Sequence, residues 1–202
     1  MLAASGNGSD EAKSWDSSKV IPVFHRWIQE GTLDELMIDV ADYSHVPNGP
    51  SVILLCHDAQ YALDTGNGEL GLLYSRRRET GGPRVGGFDS FAQRVPSVFH
   101  DALVVCEKLE AEASLVGELR FPCDRFVLRC NDRRVGEESL QLVETEIRGF
   151  MERLVPESST DVVVGVDSSG RLACRIQCSV APGSHALLDR IEALGKEAEV
   201  PS

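Results

Sequence analysis

Asp39, Asp42, His45, His57 and Asp58 lie within twenty positions of one another and could do acid-base or metal chemistry. Two imidazoles with three carboxylates can bind a divalent ion or share a proton transfer. On a helix, Asp39 and Asp42 at i and i+3 would project from neighbouring positions, and the Pro47-Asn48-Gly49-Pro50 turn would fold His45 back toward a strand carrying His57. A metal-assisted or acid-base hydrolase is the reaction class such a set would serve. The competing reading makes these residues caps and hydrogen-bond anchors, and their spacing matches no established metal motif.

Arg76, Arg77, Arg78 and Arg84 form a basic island beside Gly81, Gly82, Gly86 and Gly87. Arginine forks and exposed loop N–H groups could hold the phosphate or carboxylate of a small anionic ligand. No Lys-Ser or Lys-Thr follows the glycines, so this is no P-loop, and their spacing does not follow a strand in the dinucleotide-binding manner. A solvated charge run closing a hairpin is the alternative. The chain has no G-x-S-x-G elbow, and no motif specifies a cofactor. His100, Phe24, Trp27 and Tyr43 read as packing residues.

The elements that would position these groups follow from periodicity. Val23, Phe24, Trp27 and Ile28 mark a short helix that begins with Pro22 at its first position and ends near Gly31. Thr32 with Glu35 resembles a capping box, and Leu33, Leu36, Met37 and Val40 continue at helical spacing, so a helix is expected there in preference to an alternating strand over Met37 to Tyr43. Val52 to Leu55 reads as a buried strand that runs on through His57 in alternation, turns at Thr65-Gly66-Asn67-Gly68 and returns over Leu70 to Ser75. Residues 76–90 form a loop, and Phe91 to about Glu112 a helix interrupted by Pro96. A strand over Leu119 to Cys130, a helix from Leu140 to Leu154, a hairpin of Asp161 to Val166 with Arg171 to Ser179, and a helix from Ser184 stopped at Gly195 complete the order.

This order is α+β: an antiparallel sheet of two β-hairpins plus a further strand, with helices on a face. Residues 1–18 read as a loose tail and 19–198 as one domain, which can also be divided into related halves, 19–116 and 117–198, meeting near Gly117.

Composition narrows the partners. With 42% hydrophobic and 26% charged residues the 202-residue chain is ordinary for a soluble globular protein, and no apolar run approaches the length of a membrane span. Thirty-two acidic against 20 basic residues give a net charge of -12, which disfavours nucleic acid and anionic membrane surfaces. The N-terminal stretch lacks the pattern of a secretory signal, so a cytoplasmic location is expected. Six cysteines occur without any C-x-x-C pair, and Cys174 and Cys178, on one strand, stand about 13 Å apart at about 3.3 Å per residue, too far to bridge. They read as small core hydrophobes.

Over Phe24 to Ile28, Ile38 to Val46, Gly49 to Asp64 and Gly71 to Arg77 the chain resembles a family of uncharacterised bacterial proteins, conserved hypothetical proteins. The resemblance implies no activity, cofactor or site residue. Three functions are therefore carried forward. The first is a non-enzymatic module that binds a small anionic ligand or a protein partner through the hairpin around His57 to Arg78. The second is the hydrolase, and the third an oligomeric scaffold in which a hairpin edge pairs with its copy.

Overall fold

The computed structural model describes residues 2–5, 16–46, 50–64, 70–77, 91–130, 138–167 and 170–198. Among these, four α-helices are α1 (Val20–Glu30), α2 (Phe91–Ala111), α3 (Glu138–Leu154) and α4 (Ser184–Ala198). Eight strands are β1 (Leu2–Ser5), β2 (Met37–Asp42), β3 (Pro50–Cys56), β4 (Ala59–Asp64), β5 (Gly71–Arg76), β6 (Arg125–Arg129), β7 (Thr160–Val166) and β8 (Leu172–Cys178). The fold is α+β, and every ladder of its sheet is antiparallel, in the order β2-β3-β4-β5-β1-β6-β8-β7. A four-stranded ladder from the N-terminal side of Gly117 and a three-stranded ladder from its C-terminal side are joined through β1.

Alternation along the strands divides the sheet into two faces. Val52, Leu54, Tyr61, Leu72, Phe126 and Ile176 point into one core with Phe24 and Trp27 of α1, Phe99 and Leu103 of α2, Phe150 of α3 and Leu187 of α4. Phe99 sits at the centre, its ring 5.2 Å from both Phe126 and Phe150. Each such aromatic, fully buried, adds roughly 1.5–3 kcal/mol of transfer free energy. All four helices thus lie on this side of the sheet.

Several sequence expectations change. The residues expected to extend a helix over Leu33 to Val40 instead enter edge strand β2, with a register shift between Met37 and Asp39. Pairing with β3 overrides the helical spacing, and the alternating-strand reading of Met37 to Tyr43 is the one the structure follows. The single strand expected from Val52 to Asp64 is a hairpin, β3–β4, turned at His57-Asp58. Leu2–Ser5, inside the stretch read as a tail, forms β1 between β5 and β6. The strand expected over Leu119 to Cys130 is confined to β6, Pro22 is the third residue of α1, and α4 runs through Gly195. Gly31 does end α1, in the left-handed conformation at φ 64°, its N–H donating to the Trp27 carbonyl. The expected turn at residues 65–68 lies outside the described residues, although β4 and β5 pair as expected.

Candidate functional site

The five acid-base candidates do not converge. Asp42 pairs with Val52 at one end of the β2–β3 ladder, and His57 follows Cys56 at the other, its N–H donating to the Leu36 carbonyl at 2.8 Å. Val52 to Cys56 alone spans about 14 Å at about 3.4 Å per residue, beyond what two side chains and one ion with bonds near 2 Å can bridge. Asp39, paired with Leu55, faces the opposite side of the sheet from Asp42. Each residue is engaged locally. Asp42 accepts from the Ser44 hydroxyl at 2.6 Å and the Ser44 N–H at 2.9 Å, which together hold its pKa below the usual carboxylate value. Asp39 accepts from the Val40 N–H at 2.8 Å, His45 stacks on Tyr43 with centroids 6.3 Å apart, and His57 Nδ1 lies 2.8 Å from Asp58 Oδ1 in the exposed β3–β4 turn. Among the described residues no group of three or more His, Cys, Asp or Glu is placed to hold a metal ion.

The arginine island separates likewise. Arg77 steadies the β3–β4 turn, its N–H donating to the Asp58 carbonyl at 2.8 Å, while Arg78 and Arg84 lie outside the described residues. Arg76 turns to the core side at the end of β5 and joins a network that sequence reasoning missed. Its Nη2 donates to Asp101 Oδ2 at 2.7 Å, its Nη1 to Ser97 Oγ at 3.0 Å and its Nε to the Tyr74 hydroxyl at 3.1 Å. Tyr74 also donates to Asp101 Oδ2 at 2.9 Å, and His100 Nδ1 lies 3.2 Å from Asp101 Oδ1. Tyr61 stacks on Tyr74 at 4.8 Å and donates to Glu35 Oε1 at 2.5 Å.

The electrostatics follow from burial and pairing. Burial works to raise the pKa of Asp101, but the His100 hydrogen bond and the Arg76 guanidinium outweigh it and hold the carboxyl below its ordinary value. The same hydrogen bond raises the pKa of His100. Burial pushes both tyrosines well up, Tyr61 with added repulsion from Glu35 and Tyr74 with added repulsion from Asp101, so both hydroxyls stay protonated donors. The network can therefore tie β5 to α2. It presents little net positive charge to an anion, because Asp101 already faces Arg76. Two buried tyrosines in strands, each needing a hydrogen-bond partner, were the available sequence signal; which acids answer them depends on long-range packing.

The other face of the sheet carries the second feature. Ala41, Ile53, Ala62, Leu73, Val127, Arg175 and Val163 fall on one register line across the sheet, with Ala3 of β1 at the matching position between Leu73 and Val127. All but Arg175 are apolar, and among the described residues no helix lies over them. Ile53 and Ala62 are 8% and 1% exposed, Leu73 and Val127 half-buried, and Val163 52% exposed. On this face Asp39 and Asp64 belong to the β2–β5 half, while Arg125, Arg129 and Arg175 stand on β6 and β8.

No family model, no curated protein and no solved structure matches the chain. Among the described residues no helix is long and apolar enough to cross a membrane.

Proposed function

We propose that the protein is a non-enzymatic binding module that docks a protein partner on the face of its sheet opposite helices α1 to α4. The observation that carries this reading is the line from Ala41 to Val163, apolar but for Arg175 and bordered by charged residues of both signs. An apolar core with a polar rim is the usual anatomy of a protein interface. Of the two ligand classes expected from the hairpin, a protein suits this face better than a small anion suits Arg76, whose charge is already met by Asp101 at 2.7 Å.

A photo-crosslinking residue introduced at Leu73 or at Val127, with a control at exposed Leu142 on α3, tests the reading in the full chain. The expected result is one adduct of the same mass from both sheet positions, lost from the Val127 version when Leu73→Lys is added, and none from Leu142. Equal labelling from all three positions, or none from the two sheet positions, overturns it.

A further inference from the structure

Ala173 stands near the start of β8 on the face opposite the helices, half-buried, in a chain whose net charge is -12. Along β8 its same-face neighbours are Arg171 and Arg175, and across the ladders they are Arg129 of β6 and Gly165 of β7. Arg171 just precedes β8, but its carbonyl accepts from the Asp167 N–H at 2.8 Å, which carries the ladder one step past Leu172. Three arginines thus surround one alanine. The fourth side is a glycine, above which an added Cβ would meet nothing within 4 Å. We infer that this recess binds a phosphate group, with Arg171 and Arg175 as its principal ligands and Arg129 at its third corner. The site goes beyond the docking reading and does not depend on it, because the recess is complete within one chain.

The state of the guanidinium groups separates this set from ordinary solvated arginines. Among the described residues Arg171 and Arg175 form no ion pair, and Arg171 Nε is shut off from solvent without meeting an acceptor. The Arg171 Nη atoms are not closed off in this way. A cation that is part desolvated and uncompensated is costly, and an anion at those Nη atoms relieves the cost. Two acids stand nearby on the same face. Asp167, opposite Arg171, accepts the Arg171 main-chain N–H at 3.1 Å and lies 3.1 Å from Arg129 Nε, which holds Arg129 at the rim. Asp161 pairs with Gln177, one same-face place beyond Val163, and is exposed.

Spacing selects the kind of anion. Arg171 and Arg175 are four residues apart on one strand, about 13 Å at about 3.3 Å per residue, so their long stems can lean inward over Ala173 from opposite sides. Room remains between the two forks for a group with several oxygens. A carboxylate has two oxygens, and a single fork satisfies both; a phosphate monoester has three free oxygens and a charge of about -1.5 to -2 at neutral pH. The acidic balance of the chain acts against it at long range, but physiological salt screens that field beyond about 8 Å, so the local arginines decide.

Amide shifts of the isotope-labelled full-length protein test this, in titrations with inorganic phosphate, a glycerol phosphate, a phosphoserine peptide and, at the same ionic strength, acetate. Saturable shifts at Gly165 and Ala173 are expected with all three phosphates, and acetate should bind at least about 10-fold more weakly. Arg171→Gln with Arg175→Gln should weaken phosphate binding at least about 10-fold. Gly165→Glu, which leaves both arginines in place and puts a carboxylate into the recess, should do the same. Arg120→Gln, at an exposed arginine outside the recess, should leave affinity unchanged. Circular dichroism of each variant separates misfolding from lost binding, and if the double variant misfolds, Gly165→Glu decides. The tighter of the two phosphomonoesters shows whether the group arrives on a small molecule or on a protein side chain. Absence of saturable shifts at Gly165 and Ala173, acetate binding as tightly as phosphate, or wild-type affinity in a folded double variant or in Gly165→Glu overturns the inference.

Discussion

Removing the Asp101 carboxylate should destabilise the protein by about 2 kcal/mol. Hydrogen bonds to a charged group contribute about 1.5–3 kcal/mol each, and breaking a fully buried ion pair costs about 3–5 kcal/mol. Asp101→Ala takes acceptors from Tyr74 at 2.9 Å, Arg76 at 2.7 Å and His100 at 3.2 Å, but the Arg76 and Asp101 side chains keep 23% and 35% exposure, so water meets part of the loss. For a chain of this size that magnitude is a fall in Tm of about 4–8 °C. Denaturant melts of Asp101→Ala, Arg76→Met and the double variant should give a coupling of about 1 kcal/mol. The pH dependence provides a second readout. Asp101 titrates below its ordinary 3.8, so its contribution is complete above that value and disappears as pH falls through the lower folded pKa. His100 titrates above its ordinary 6.5, so its contribution is complete below 6.5 and fades as pH climbs through the raised folded pKa. The gap between wild type and Asp101→Ala should therefore be widest between those limits. A Tm loss under about 1 °C, with additive single variants and no change in the pH profile, would refute the network as a tie between β5 and α2.

The remaining expectations concern other parts of the molecule. Gly31→Ala should cost about 1 kcal/mol, read as a Tm fall of about 2–4 °C, because φ at 64° disfavours an L side chain although nothing lies within 4 Å of the added carbon; Gly31→Asn should recover part of it. His45→Ala with His57→Ala should change stability by less than about 0.5 kcal/mol, both rings being exposed, and a larger loss in a thermal melt would give them a structural role they lack here. In native protein at mild alkaline pH a thiol reagent should modify half-buried Cys130 first, because the other five cysteines are buried out of its reach. Mass mapping of the first adduct checks the order.

What the sequence disclosed depends on how local each signal is. α3 and α4 carry their apolar residues at helical spacing, and the β7–β8 hairpin is bounded by Asp167 and Gly170, whose φ of 74° suits glycine, so these elements were readable. β2 was not, because Ala41 and two aspartates are weak strand residues and pairing with β3 decides their conformation. The His57-Asp58 turn has no Gly, Pro or Asn to announce it, which is why one strand was expected where two exist. The helix expected over Leu33 to Val40 is what gathered Asp39 and Asp42 with His57 into one cluster, and β2 sets Asp42 at the opposite end of its ladder with β3 from His57 instead. Conversely, Ile53, Leu73 and Val127 were visible as alternate strand residues, but only the strand order shows that they share a line.

The place of β1 has a consequence for how the chain folds. Leu2–Ser5 emerges from the ribosome before any of its partners, yet its two neighbours are β5 and β6, and the second of these is complete only at Arg129. The join between the two ladders therefore has one of the longest loop closures in the molecule, and such closures form late and slow the whole reaction. Until then the facing edges of β5 and β6 are open to other chains. A strand synthesised ahead of both its neighbours is thus among the last to be used, and the exposure of those edges during folding is set by how quickly it returns.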